Sequence, residues 1–91
     1  MNTRQCRKLA HHLEVLTQHK AERCGDIVTQ AKARVARAER KAREAKRWKY
    51  QQAYDRAATN AYHRFIQISD RCSEAFSRHA HVQMIYRDRC R

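Results

Sequence analysis

The residues of this chain best placed to do covalent chemistry are its four cysteines, Cys6, Cys24, Cys72 and Cys90. They fall in two pairs, one near each end, and the members of each pair are eighteen positions apart. Such thiols can form disulfides, ligate a metal, or fill apolar positions unpaired. At ~3.6 residues per turn, eighteen residues make about five whole turns, so each pair lies on one face of a helix. In two antiparallel helices, facing positions have a constant index sum. A sum of 96 sets Cys6 opposite Cys90 and Cys24 opposite Cys72 in a single register. Of the connectivities open to four cysteines, only this nested one suits a hairpin. Two alternatives stand beside it. One is four unpaired buried thiols. The other is zinc held by Cys6 and Cys90 with His11, His12, His79 or His81, although structural zinc sites favour short, clustered spacings.

The elements that must position these cysteines are legible in the apolar residues. One stripe runs through Cys6, Leu9, Leu13, Leu16, Lys20, Cys24, Ile27, Ala31, Val35, Ala38, Ala42 and Ala45. A second runs through Tyr54, Ala57, Ala61, Phe65, Ile68, Cys72, Ala75, His79, Val82, Tyr86 and Cys90. Steps of three and four are those of a coiled-coil seam, with Lys20 as a polar interruption. The cysteine register sets Ala31 against Phe65, Val35 against Ala61 and Ala42 against Tyr54. Large residues thus meet small ones, as close packing requires. The expected fold is all-α: a long antiparallel helical hairpin, coiled-coil-like, fastened by two nested disulfides.

Composition agrees. The chain has 91 residues, no Pro and a single Gly, Gly25. Folds rich in turns need those residues, whereas Ala, Arg, Lys, Glu and Gln favour helix. A chain this short makes one domain with a small core and commonly needs a staple. We expect residues 1–91 to form one hairpin domain, with arms at about 4–46 and 50–90 and the tip near Trp48. No Gly, Pro, Asn or Asp marks that tip. Gly25 and Asn60 are the better local breaks and stand as alternative turns.

The formal charge is +12, from 21 Lys and Arg against 9 Asp and Glu. Such an excess favours polyanionic partners: RNA, anionic lipid or an acidic protein surface. The charge concentrates in Lys32, Arg34, Arg37, Arg40, Lys41, Arg43, Lys46, Arg47 and Lys49. Nine cations against Glu39 and Glu44 leave a net of +7 between Lys32 and Lys49. Trp48 and Tyr50 adjoin this segment. Cations beside aromatics suit RNA or a membrane interface, so Lys32–Lys49 with Trp48 is the expected site for an anionic partner. The plainer alternative is a solvated helix face with pairs such as Glu39–Arg43 and Arg40–Glu44.

No catalytic set is visible. His11 and His12 are adjacent, and His79 and His81 are two apart, so each pair diverges on a helix. There is no HExxH, Gly-rich phosphate loop or nucleophile elbow. We expect no enzyme, no metal, no cofactor and no small-molecule substrate. No apolar run approaches the ~18 residues of a membrane span. The first residues lack the continuous apolar core of a secretory signal, and a basic amphipathic N-terminal helix is compatible with mitochondrial targeting.

A helical hairpin closed by two nested disulfides, here at Cys6, Cys24, Cys72 and Cys90, resembles the coiled-coil-helix–coiled-coil-helix (CHCH) proteins of mitochondria. This chain departs from them in the wider interval within each cysteine pair and in the long segment between the pairs. The resemblance implies an oxidised intermembrane-space protein. Its members serve as assembly factors, respiratory-chain accessory subunits or mitoribosomal subunits. The frame also resembles plant antimicrobial α-hairpinins, and the basic seam resembles the coiled-coil stalks of bacterial export machines. The expectation is a non-enzymatic structural subunit of a large mitochondrial assembly, of respiratory-chain or ATP synthase type. Its partners would be protein subunits of that complex, with RNA or anionic lipid as candidates for the basic segment. The alternatives are an RNA-binding protein of the mitochondrial ribosome, which would place it in the matrix, and a basic stalk or membrane-active protein.

Overall fold

The computed structural model describes residues 1–90. It contains three helices: α1 (Thr3–Cys24), α2 (Asp26–Glu44) and α3 (Trp48–Arg89). α1 and α2 follow one another along one arm, and α3 alone forms the other. Both α1 and α2 pack along α3, giving a rod of 68 × 15 × 14 Å. A 42-residue helix spans about 63 Å, so α3 accounts for nearly the whole length. The expected all-α hairpin is the observed architecture, and both cysteine pairs are joined in the nested order, Cys6–Cys90 and Cys24–Cys72.

Local sequence explains where the helices start and stop. Asn2 and Gln5 form a capping box: Asn2 Oδ1 accepts from the Gln5 amide at 2.9 Å, and Gln5 Oε1 accepts from the Asn2 amide at 3.1 Å. Asp26 opens α2, where a carboxylate complements the helix dipole. Lys41 and Arg43 close α2, and Arg87 and Arg89 close α3, with the complementary sign.

The chain reverses over Ala45, Lys46 and Arg47. Ala45 (ψ 113°) and Arg47 (ψ 127°) are extended, and no described residue has a positive φ. A reversal built from extended residues needs neither Gly nor Asn, so no turn residue marks it. The Arg47 carbonyl starts α3 by accepting from the Tyr50 and Gln51 amides at 3.0 Å. Gly25 interrupts the first arm without reversing it, and Asn60 lies inside α3.

The seam follows the apolar stripes with three exceptions. Leu16, Ala31, Ala42 and Ala75 are buried, whereas Ile27, Tyr54 and Ala57 are exposed. Val28 and Ala58 are the half-buried neighbours that take the seam positions of Ile27 and Ala57. On α3 the half-buried Cys72, Ile68, Phe65, Ala61 and Ala58 keep a regular four-three alternation that passes over Ala57, while the reason for Ile27 lies at Gly25. The first-arm seam steps by four from Lys20 to Cys24 and again by four to Val28, one residue beyond the alternating three-four repeat. The interruption at Gly25 takes up that extra residue and turns Ile27 outward.

Candidate functional site

The two disulfides set the frame. The Cα atoms are 5.6 Å apart in Cys6–Cys90 and 4.9 Å apart in Cys24–Cys72, both within the range a disulfide spans without backbone movement. Between them lie two further contacts in the same register. His79 Nε2 is 3.1 Å from Thr17 Oγ1, and Lys20 Nζ lies 4.8 Å from the centroid of the Phe76 ring. The position numbers of all four pairs add to 96. With every cysteine in a disulfide, a zinc site would have no thiolates, and no cluster of metal-ligating side chains occurs among the described residues.

The basic segment divides by geometry. Lys32, Arg34, Arg37, Arg40, Lys41 and Arg43 project from α2, Lys46 and Arg47 lie in the reversal, and Trp48 and Lys49 open α3. All are exposed, and Trp48 retains 72% of its surface. Neither Glu39–Arg43 nor Arg40–Glu44 is among the ion pairs of the described residues, which are Arg78–Glu74 at 2.6 Å and His11–Glu14 at 3.9 Å. No cation of this segment is in an ion pair among the described residues.

The structure draws three of these cations into a crevice between the arms. Arg34, Arg37 and Lys41 of α2 face Tyr54 and Ala57 of α3 across a floor that includes Ala38. Further along, Arg23 and Ile27 face Ile68, Arg71 and Arg78. Beyond that, Arg78 and His81 lie across from His12 and His19. These segments lie on one flank. Ile27, Arg34 and Lys41 are seven residues apart on α2, and Ala57, Arg64, Arg71 and Arg78 are seven apart on α3. A heptad step returns to nearly the same side of a helix, with a drift of only ~20°.

The opposite flank differs. There Glu39 faces Ala58, Thr59 and Tyr62. Trp48 and Phe76 lie fourteen residues to either side of Tyr62, along nearly the same line. All three aromatic side chains are at least half exposed. The line of Trp48, Tyr62 and Phe76 thus runs on the flank opposite the crevice, whereas Tyr54 lines the crevice itself. Arg23, Arg71 and Arg78 belong to no charge cluster in the sequence. The signal that finds Arg71 and Arg78 is heptad spacing beside the seam, not local charge density, and Arg23 is found by its place one residue before Cys24.

The chain matches no protein-family model, no curated protein and no solved structure. No helix among the described residues is long and apolar enough to cross a membrane.

Proposed function

We propose that this protein is a non-enzymatic accessory subunit, a disulfide-fastened rod that bridges neighbours within a larger assembly. The observation that carries this reading is the imbalance between core and surface. Among the described residues only four are buried, three of them alanines, while nine large apolar side chains stay exposed along 68 Å. A core this small leaves apolar surface for neighbours to cover, and the length lets one rod touch several of them. The two disulfides support residence in an oxidising compartment. Together with the resemblance to CHCH proteins, they favour the mitochondrial intermembrane space and an assembly of respiratory-chain or ATP synthase type.

The test is native sizing of detergent extracts, followed with an antibody to this chain. The subunit reading predicts migration in a particle far larger than the 10.9 kDa chain. Recovery of the whole population as a free monomer would overturn it.

RNA binding, most naturally in a mitochondrial ribosome, is the second reading. It is favoured by the tip, where exposed Trp48 and Tyr50 stand among Lys46, Arg47 and Lys49. Contact with phosphates would make the affinity fall steeply with salt. An affinity for RNA that is flat across salt would remove this reading.

A further inference from the structure

We propose that the basic crevice between the arms is the seat of an acidic amphipathic helix from a partner protein, which completes a three-helix bundle. The proposal rests on the reading of the protein as a subunit of an assembly and names the partner surface that reading leaves open.

The first argument is the make-up of the crevice. Its floor is apolar, with Ile27 and Ile68 at one level, Ala38 and Ala57 at another, and Leu16 and Val82 at a third. Its rims are mainly cationic, with Arg23, Arg34 and Lys41 on one arm and Arg71 and Arg78 on the other, and Glu74 as the one carboxylate between these last two. An apolar floor between charged rims is what a third helix meets when it packs against two others. Its core residues take the floor, and its flanking positions meet the rims. Ile27 is 45% exposed here, an apolar residue beside the seam that such a helix would cover.

The second argument is spacing. Of the rim cations, Arg34 and Lys41 are seven residues apart on α2, and Arg71 and Arg78 are seven apart on α3. Each step advances about 10.5 Å along a helix. Carboxylates at the flanking positions of a heptad repeat recur at that same interval, so a run of them would meet the rim cations in phase. Only Arg78 of these five rim cations is in an ion pair among the described residues, with Glu74.

The third argument separates this occupant from nucleic acid. A groove for single strands combines cations with aromatic faces on which bases stack. Here Trp48, Tyr62 and Phe76 follow the opposite flank; the crevice segment lined by Arg23 and Arg71 has no aromatic side chain, the one lined by Arg34 and Lys41 has Tyr54, and the one beyond has only the imidazoles of His12, His19 and His81. Charge complementarity with an acidic helix needs no aromatic partner.

The experiment uses the oxidised full chain and three probes at physiological salt. One is a synthetic peptide of about four heptads, with Leu at the core positions and Glu at the flanking ones. The second has the same composition in scrambled order. The third is an oligouridylate. Two charge-reversal variants are compared. Arg34→Glu with Arg71→Glu alters the rims. Arg56→Glu with Arg87→Glu alters exposed cations turned about 100° from Ala57 and about 180° from Arg78 around α3. Circular dichroism and intact disulfides establish that each variant is folded, and Arg34→Gln with Arg71→Gln replaces the rim variant if it is not.

The expected result is saturable binding of the patterned peptide, with the scrambled peptide about tenfold weaker. The rim variant should lose about tenfold or more, while the outer variant stays within about twofold. Equal binding of patterned and scrambled peptides would overturn the proposal, as would equal losses in the two variants. Displacement of the patterned peptide by the oligouridylate, with tighter binding of the latter, would assign the crevice to nucleic acid instead. Failure of these measurements leaves the subunit reading standing, because that reading is decided by native sizing alone.

Discussion

Lys20 reaches across the hairpin to place its ammonium 4.8 Å from the centroid of the Phe76 ring. Lys20 is the one cation in the first-arm seam, and four positions later comes Cys24, bonded to Cys72. The polar interruption is thus covered by an aromatic face rather than left against alanines. A cation over an exposed ring contributes about 0.5–1 kcal/mol. A thermodynamic cycle on Lys20→Met, Phe76→Leu and the double variant should return a coupling of about that size. A coupling indistinguishable from zero would show that the contact does not stabilise the fold.

Much of the architecture is legible in the sequence because two independent signals give one register. The eighteen-residue cysteine interval and the three-four apolar steps both set Cys24 against Cys72, and the Thr17–His79 and Lys20–Phe76 contacts continue that register. What is not legible is local. The reversal at Ala45–Arg47 uses extended residues and carries no turn signature. Ile27 reads as a seam residue until the extra residue absorbed at Gly25 is counted. The basic crevice is hidden for another reason. Charge density along the chain points to residues 32–49, whereas the crevice recruits Arg71 and Arg78 from the other arm through spacing alone.

The inner disulfide closes a loop of 48 positions. By the chain-entropy model, such a closure contributes about 4 kcal/mol. Replacing Cys24 and Cys72 together by Ser should lower the thermal midpoint by about 15 °C or more. Thermal unfolding followed by circular dichroism measures this. Reducing both disulfides should remove most of the cooperative transition, because the whole domain has only about 5–14 kcal/mol to lose.

Gly25 faces a steric limit of its own. A Cβ added there would lie 2.9 Å from the Ala21 carbonyl oxygen, a backbone atom that cannot swing aside. Gly25→Ala should therefore destabilise the hairpin by about 1–2 kcal/mol, despite the better helix propensity of Ala. Denaturant unfolding of the variant beside the native chain checks the sign. A gain in stability would mean that the kink is not required.

Ala75 is 2% exposed and lies one turn from Cys72. The arms are close nearby, with the Cα atoms of Cys24 and Cys72 4.9 Å apart, against 5.6 Å at Cys6 and Cys90. Ala75→Leu should push the arms apart and cost about 1–3 kcal/mol. The same substitution at Ala57, which is exposed, should stay within about 0.5 kcal/mol. Denaturant midpoints of the two variants test whether the seam passes through Ala75 and bypasses Ala57.

The most direct test of the disulfide-fastened hairpin is non-reducing peptide mapping by mass spectrometry, on protein from its native source with thiols blocked at lysis. The account predicts Cys6 linked to Cys90 and Cys24 linked to Cys72, with no blocked thiol on any of the four. Four blocked thiols, or Cys6 linked to Cys24, would contradict it.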